Sequence, residues 1–182
     1  MGPERRLRGL REGVDIVTFD ITWDELKVIG KQAISIDPFD WPPPHPFSGQ
    51  TAFLGGFPGK FRLWLSPNAT SFGLFAGQQP IGTASDRSIT CTFEREYWVD
   101  ASGHGLTPEG VDLAGISGGP LLLPMEADGA WSMVLGGVIS ESPSSGFETV
   151  VSVPAHFIAA SGNINDKRGA PVRFAVLPTA TA

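Results

Sequence analysis

The sequence predicts an all-β protein, a closed antiparallel barrel or a sandwich, and three observations lead there. Of its 182 residues, 23 are Gly and 16 are Pro, residues that punctuate chains with turns. Between them lie short runs rich in Val, Ile, Phe, Trp and Thr, side chains that fit a pleated, half-buried surface. Six or seven such runs follow one another after Gly49, and closing them into a barrel removes vulnerable strand edges.

Taken in order, residues 1–13 (MGPERRLRGLREG) are basic and polar and read as a solvated arm. Val14 to Ile21 alternates well enough for a strand, and Trp23 to Val28 is either one helical turn or a loop. Residues 1–35 thus form an arm and one strand. Residues 36–49 contain DPFDWPPPHPFSG, whose prolines fix φ and remove backbone donors, so they form an extended connector. The strand-like runs are Gln50–Gly55, Lys60–Leu65, Ser71–Gln78, Ser88–Val99, Pro120–Met125, Trp131–Ser140 and Glu148–Val153. A short helix is expected around Ala155 to Ala160, closing a barrel domain over residues 50–160. Residues 161–182, ending LPTATA, lack periodicity and read as a loosely attached tail.

Composition excludes several classes. The formal net charge of −6 offers no positive field for a polyanion, so no nucleic-acid partner is expected. Cys91 is the only cysteine, which rules out an intrachain disulfide framework and reads as a small core residue. The three histidines and the cysteine lack ligand spacing, so no metal or cofactor is implied. No apolar run has the length of a signal peptide core or a membrane span. No membrane partner is expected on that ground, and if Met1 is the genuine start the location is cytoplasmic.

The chemistry-bearing segment is Gly115-Ile116-Ser117-Gly118-Gly119-Pro120. An acyl-transfer nucleophile must present its Oγ openly while backbone N–H groups point at the developing oxyanion, and flanking glycines permit the tight path this needs. Gly115 and Ser117 would supply those donors. GISGG also matches the G-x-S-x-G elbow of α/β-hydrolases, but that elbow runs into a helix, and Pro120 followed by three leucines reads as a strand. A glycine-rich turn with an idle serine is the remaining reading.

The hexapeptide resembles the G-x-S-G-G-P signature of the trypsin-like serine peptidases, and further stretches resemble that family in the same order. Asp15-Ile16-Val17 is similar to the strand carrying the catalytic aspartate, and QTAFLGGFPG (50–59) to the opening of the second barrel. Leu135 to Ser140 is similar to the strand lining the substrate cleft, and Val151-Ser152-Val153-Pro154 to the last strand before the C-terminal helix. The resemblance covers residues 14–160 in the style of bacterial, disulfide-free members. It implies a double β-barrel fold with a complete C-terminal six-stranded antiparallel barrel and only the last strand of the N-terminal barrel. It also implies a serine endopeptidase with Ser117 as nucleophile, Asp15 as the triad aspartate, and a peptide or protein substrate. Ile116 stands where the family has Asp or Asn, so a permanently formed oxyanion hole is the expectation.

The family's general base is a histidine some tens of residues before the aspartate, whereas no histidine precedes Asp15 here. His45, His104 and His156 all follow it and read as surface or helix-cap residues. The expected reading is therefore the C-terminal portion of a longer enzyme, inactive without its His-bearing segment and self-associating through the barrel face that segment would cover. The alternatives are a non-catalytic peptide-binding relative and an esterase using Ser117, His156 and Asp128 or Asp166. On the substrate side the resemblance puts Val111 at the floor of the specificity pocket with Asp112 beside it. Ser140, Glu141 and Ser142 border the cleft, and an apolar floor favours an uncharged, medium-sized side chain.

Overall fold

A computed structural model describes residues 6–28, 30, 33, 41–92, 112–127, 129–141 and 149–165. Its centre is a closed six-stranded antiparallel barrel. The barrel strands are β3 (Thr51–Gly56), β6 (Phe75–Ala84), β7 (Ile89–Thr92), β8 (Pro120–Ala127), β9 (Ala130–Glu141) and β10 (Thr149–Pro154). Around the barrel they run β3-β6-β7-β10-β9-β8 and back to β3. The neighbours β8-β3-β6-β7 place the fourth strand beside the first, which is Greek-key order.

Alternation explains why these residues pair this way. In β3 every second residue (Ala52, Leu54, Gly56) is buried, and β10 contributes Val150 and Ser152 on its inner face. Leu54, Ile81, Ile89, Cys91, Ile116, Leu121, Leu123, Ile139 and Val150 fill the interior as one cluster. Cys91 has no exposed surface, and burial pushes its thiol up to about 11.

Outside the barrel, β1 (Leu7–Arg11) pairs antiparallel with β2 (Val14–Phe19), followed by helix α1 (Trp23–Val28). Five residues of the arm expected to be solvated, Leu7–Arg11, are therefore a strand. Its one buried residue is Gly9, where an added Cβ would meet the Ile164 backbone at 2.8 Å. Arg8 pairs with Asp20 at 2.9 Å and Arg6 with Glu25 at 2.6 Å. A second apolar cluster, Ile16, Val153, Phe157 and Ile164, fastens this hairpin to the barrel near β10.

Three expectations change in detail. Ser71 to Gln78 is two strands, because β5 (Ala69–Phe72) turns back to pair with β4 (Arg62–Ser66) before β6 begins. The expected helix after β10 is a single 3₁₀ turn, Ala155–Phe157. The tail is anchored as far as Asn165, whose N–H donates to Phe157 O at 2.7 Å, with Ile164 buried. Residues 93–111, 142–148 and 166–182 lie outside the described residues, and with them the last part of the Ser88–Val99 run.

Candidate functional site

Ser117 lies in the turn that delivers the chain into β8, and its side chain is exposed. The residue before it is the anchor. Ile116 is 1% exposed and packs in the barrel core with Leu113, so the backbone on either side is pulled against the barrel wall. Two glycines make that path sterically possible. Gly115 has φ +99°, a conformation L side chains rarely adopt, and a Cβ there would approach Gly59 N at 2.9 Å. At Gly119 a Cβ would run into the carbonyl oxygen of Gly55 on β3.

The turn's hydrogen bonds define its chemistry. Ala114 N–H donates to Asp112 Oδ1 at 2.8 Å and Ile116 N–H to Leu113 O at 3.1 Å. Gly118 N–H donates to Ile139 O and Gly119 N–H to Ile116 O, each at 2.8 Å. Among the described residues, the N–H groups of Gly115 and Ser117 have no acceptor. The amides of Ala114, Ile116, Gly118 and Gly119 are thus spent on holding the turn, whereas those of Gly115 and of the serine itself are left over. Open, fixed amide donors of this kind suit a developing oxyanion.

Ser117 Oγ donates to the main-chain carbonyl of Ser140 at 3.0 Å, and Ser140 Oγ donates to Val151 O at 3.3 Å. The nucleophile candidate and the strand expected to line a cleft are therefore in direct contact at the β9 end nearest β10. Glu141, the last residue of β9, is exposed beside them. Asp112 is exposed and its carboxylate caps the turn through Ala114. Val111 and Ser142 lie outside the described residues.

Asp15 is exposed on β2, at a register shift opposite Leu10 and Arg11, and no hydrogen bond joins it to Ser117. The structure therefore brings Gly115, Ser117 and Ser140 together and leaves Asp15 on the neighbouring hairpin.

His156, expected as a surface or cap residue, is instead buried in the 3₁₀ turn after β10, against Phe157 with ring centroids 4.5 Å apart. His45, in the proline-rich connector, faces it at 5.9 Å. The turn that holds His156 follows Pro154, which is opposite Gly137, whereas Ser117 contacts Ser140. Three residues along a strand are roughly 10 Å, and no hydrogen bond joins His156 to the serine, whose Oγ is bonded to Ser140 O. His104, Asp128 and Asp166 lie outside the described residues. The segment following Ser117 is a strand, not the helix a hydrolase elbow requires.

No family model matches the chain, and no curated protein or solved structure matches it.

Proposed function

We propose that this chain carries the nucleophile half of a trypsin-like serine endopeptidase, acting by acyl transfer on peptide or protein substrates. The observation that carries the reading is the pair of unoccupied amides at Gly115 and Ser117 around an exposed hydroxyl. The Greek-key barrel and the close contact of Ser117 with Ser140 are compatible with the double-barrel architecture that the sequence resembles.

In this reading Ser117 Oγ attacks the scissile carbonyl, and the two amides hold the oxyanion of the tetrahedral intermediate. A histidine that this chain does not itself supply takes the serine proton and returns it to the leaving amine. Asp15 fixes the tautomer of that histidine, and Ser140 and Glu141 border the substrate. The resemblance assigns Val111 to the floor of the primary pocket, where it would select an uncharged, medium-sized side chain. Without the histidine, kcat is expected to fall about 10⁶-fold, leaving about 10³ to 10⁴ over water from the oxyanion hole and binding.

The test is fluorophosphonate labelling of the longest expressible form, with Ser117→Ala as control. Labelling of the parent that disappears in S117A supports the peptidase. A folded, longest form that stays unlabelled ends it.

A second reading, a peptide-binding relative without chemistry, draws on the fact that Ser117 Oγ is engaged by a carbonyl and, among the described residues, by no base. It expects peptide binding that survives S117A together with no labelling.

A further inference from the structure

The β4–β5 hairpin is a two-stranded sheet paired only with itself, and every residue of β4 is exposed. Leu63, Trp64 and Leu65 stand in succession at 63%, 71% and 69% exposure, with Phe72 and Leu74 half or more exposed on the returning chain. Strand alternation turns Leu63 and Trp64 to opposite faces, so both faces of the hairpin carry an apolar side chain, and Leu65 follows at the register shift between Trp64 and Ser66. Its base is firmly held. Gly73 N–H donates to Phe61 O at 2.9 Å, Phe61 packs on the core, and Arg62 stacks 5.3 Å over Phe72.

Charge selects the occupant. Between Asp40 and Asp86 the acidic residues vanish, and the only Lys or Arg side chains are Lys60 and Arg62, at the root of this hairpin, in a chain of net charge −6. A protein groove or a flat protein surface covers one face of a ribbon. A lipid interface solvates both, welcomes Trp and Leu at its headgroup boundary, and, if anionic, pairs with flanking cations.

We propose that the β4–β5 hairpin docks this protein on an anionic lipid surface, with Trp64 and its neighbouring leucines in the headgroup region and Lys60 and Arg62 against the lipid phosphates. The outer edges of β4 and β5 are unpaired, and unpaired backbone is not tolerated in hydrocarbon, so the tip lies at the interface and does not span. The absence of a spanning run, the ground for expecting no membrane partner, does not bear on a hairpin of this kind. The proposal is independent of the chemistry at Ser117.

The experiment measures sedimentation with vesicles of equimolar phosphatidylglycerol and phosphatidylcholine against phosphatidylcholine alone, with quenching of tryptophan emission by brominated lipid. The protein is expected to pellet with the anionic vesicles and to be quenched. Leu63→Ser/Trp64→Ser/Leu65→Ser is expected to lower partitioning roughly tenfold or more, and Lys60→Glu/Arg62→Glu to abolish the preference for phosphatidylglycerol. Trp64→Phe, which keeps the fold and the apolar tip, is expected to bind while losing most of the quenching. Wild-type protein that stays in the supernatant with anionic vesicles overturns the proposal. So does a monomer–dimer equilibrium abolished by the triple substitution, which would assign the hairpin to a second copy. S117A binding vesicles like wild type separates this result from the fate of the peptidase reading.

Discussion

At Ile116 a single side chain performs two tasks, filling the barrel core and holding the neighbouring serine outward. Ile116→Ala is expected to destabilise the fold by about 2–5 kcal/mol, since it leaves a cavity among buried apolar residues. Chemical denaturation checks this, and the same variant should lose any Ser117 labelling more than its stability loss explains. Gly119→Ala sets a Cβ against the Gly55 carbonyl and is expected to cost about 1–3 kcal/mol, because backbone on β3 must move. Cys91 provides a pH test. Its folded-state value is raised by burial, so the neutral thiol contributes stability that is fully present below the unfolded value near 9 and is lost as pH rises through about 11. Iodoacetamide should therefore modify Cys91 only on unfolding, and prompt modification of the native protein at pH 8 would contradict its burial.

At the scale of elements, helix α1 depends on a capping arrangement rather than on packing, for none of its residues is buried. Thr22 N–H donates to Glu25 Oε2 at 3.0 Å while Glu25 N–H donates to Thr22 Oγ1 at 3.3 Å, a reciprocal pair that closes the helix start. The hydrogen bonds from Thr22, and secondarily Arg6, hold the Glu25 carboxyl below its usual range. A lowered carboxylate stabilises above its unfolded value, and that contribution disappears as pH falls through the folded one. Thr22→Ala is expected to fray α1, seen as faster amide exchange over Trp23–Val28 with the barrel amides unchanged.

The elements also show what a sequence can and cannot reveal. The barrel strands were legible because Ala52, Leu54, Leu121 and Leu123 alternate with partly exposed neighbours, and the turn at Ser117 because its glycines have few other uses. Strand β1 was hidden, since LRGLR buries only a glycine, and Arg8 and the preceding Arg6 find carboxylates distant in sequence. The break at Gly73 and Leu74 was hidden too, for β5 and β6 share one apolar run. His156 was misjudged because burial of a polar ring is decided by Phe157 and His45, and only folding brings His45 beside it. Asp15 lies on a hairpin whose register shift the sequence does not signal.

For the whole molecule, surface and charge are unevenly shared. Leu10, Phe19, Ile21, Trp23 and Val28 leave the β1–β2 and α1 region strongly apolar outside, on an acidic protein. Exposed apolar surface of this extent marks association, and sedimentation at tens of micromolar is expected to show self-association that Leu10→Arg/Phe19→Arg reverses. A monodisperse wild-type monomer would argue against it.

Thr18 Oγ1 donates to Gly162 O at 2.5 Å, Trp41 Nε1 donates to Ile158 O at 2.5 Å, and Gly9 lies flush against Ile164. The stretch 158–165 thus works as a clasp for the β1–β2 hairpin and for Trp41. Clipping the protein just beyond Phe157 should leave six strands closed and Ser117 in place while loosening the leading hairpin, which keeps only the packing of Ile16 on Val153 and Phe157, so that damage at one extremity is felt at the other.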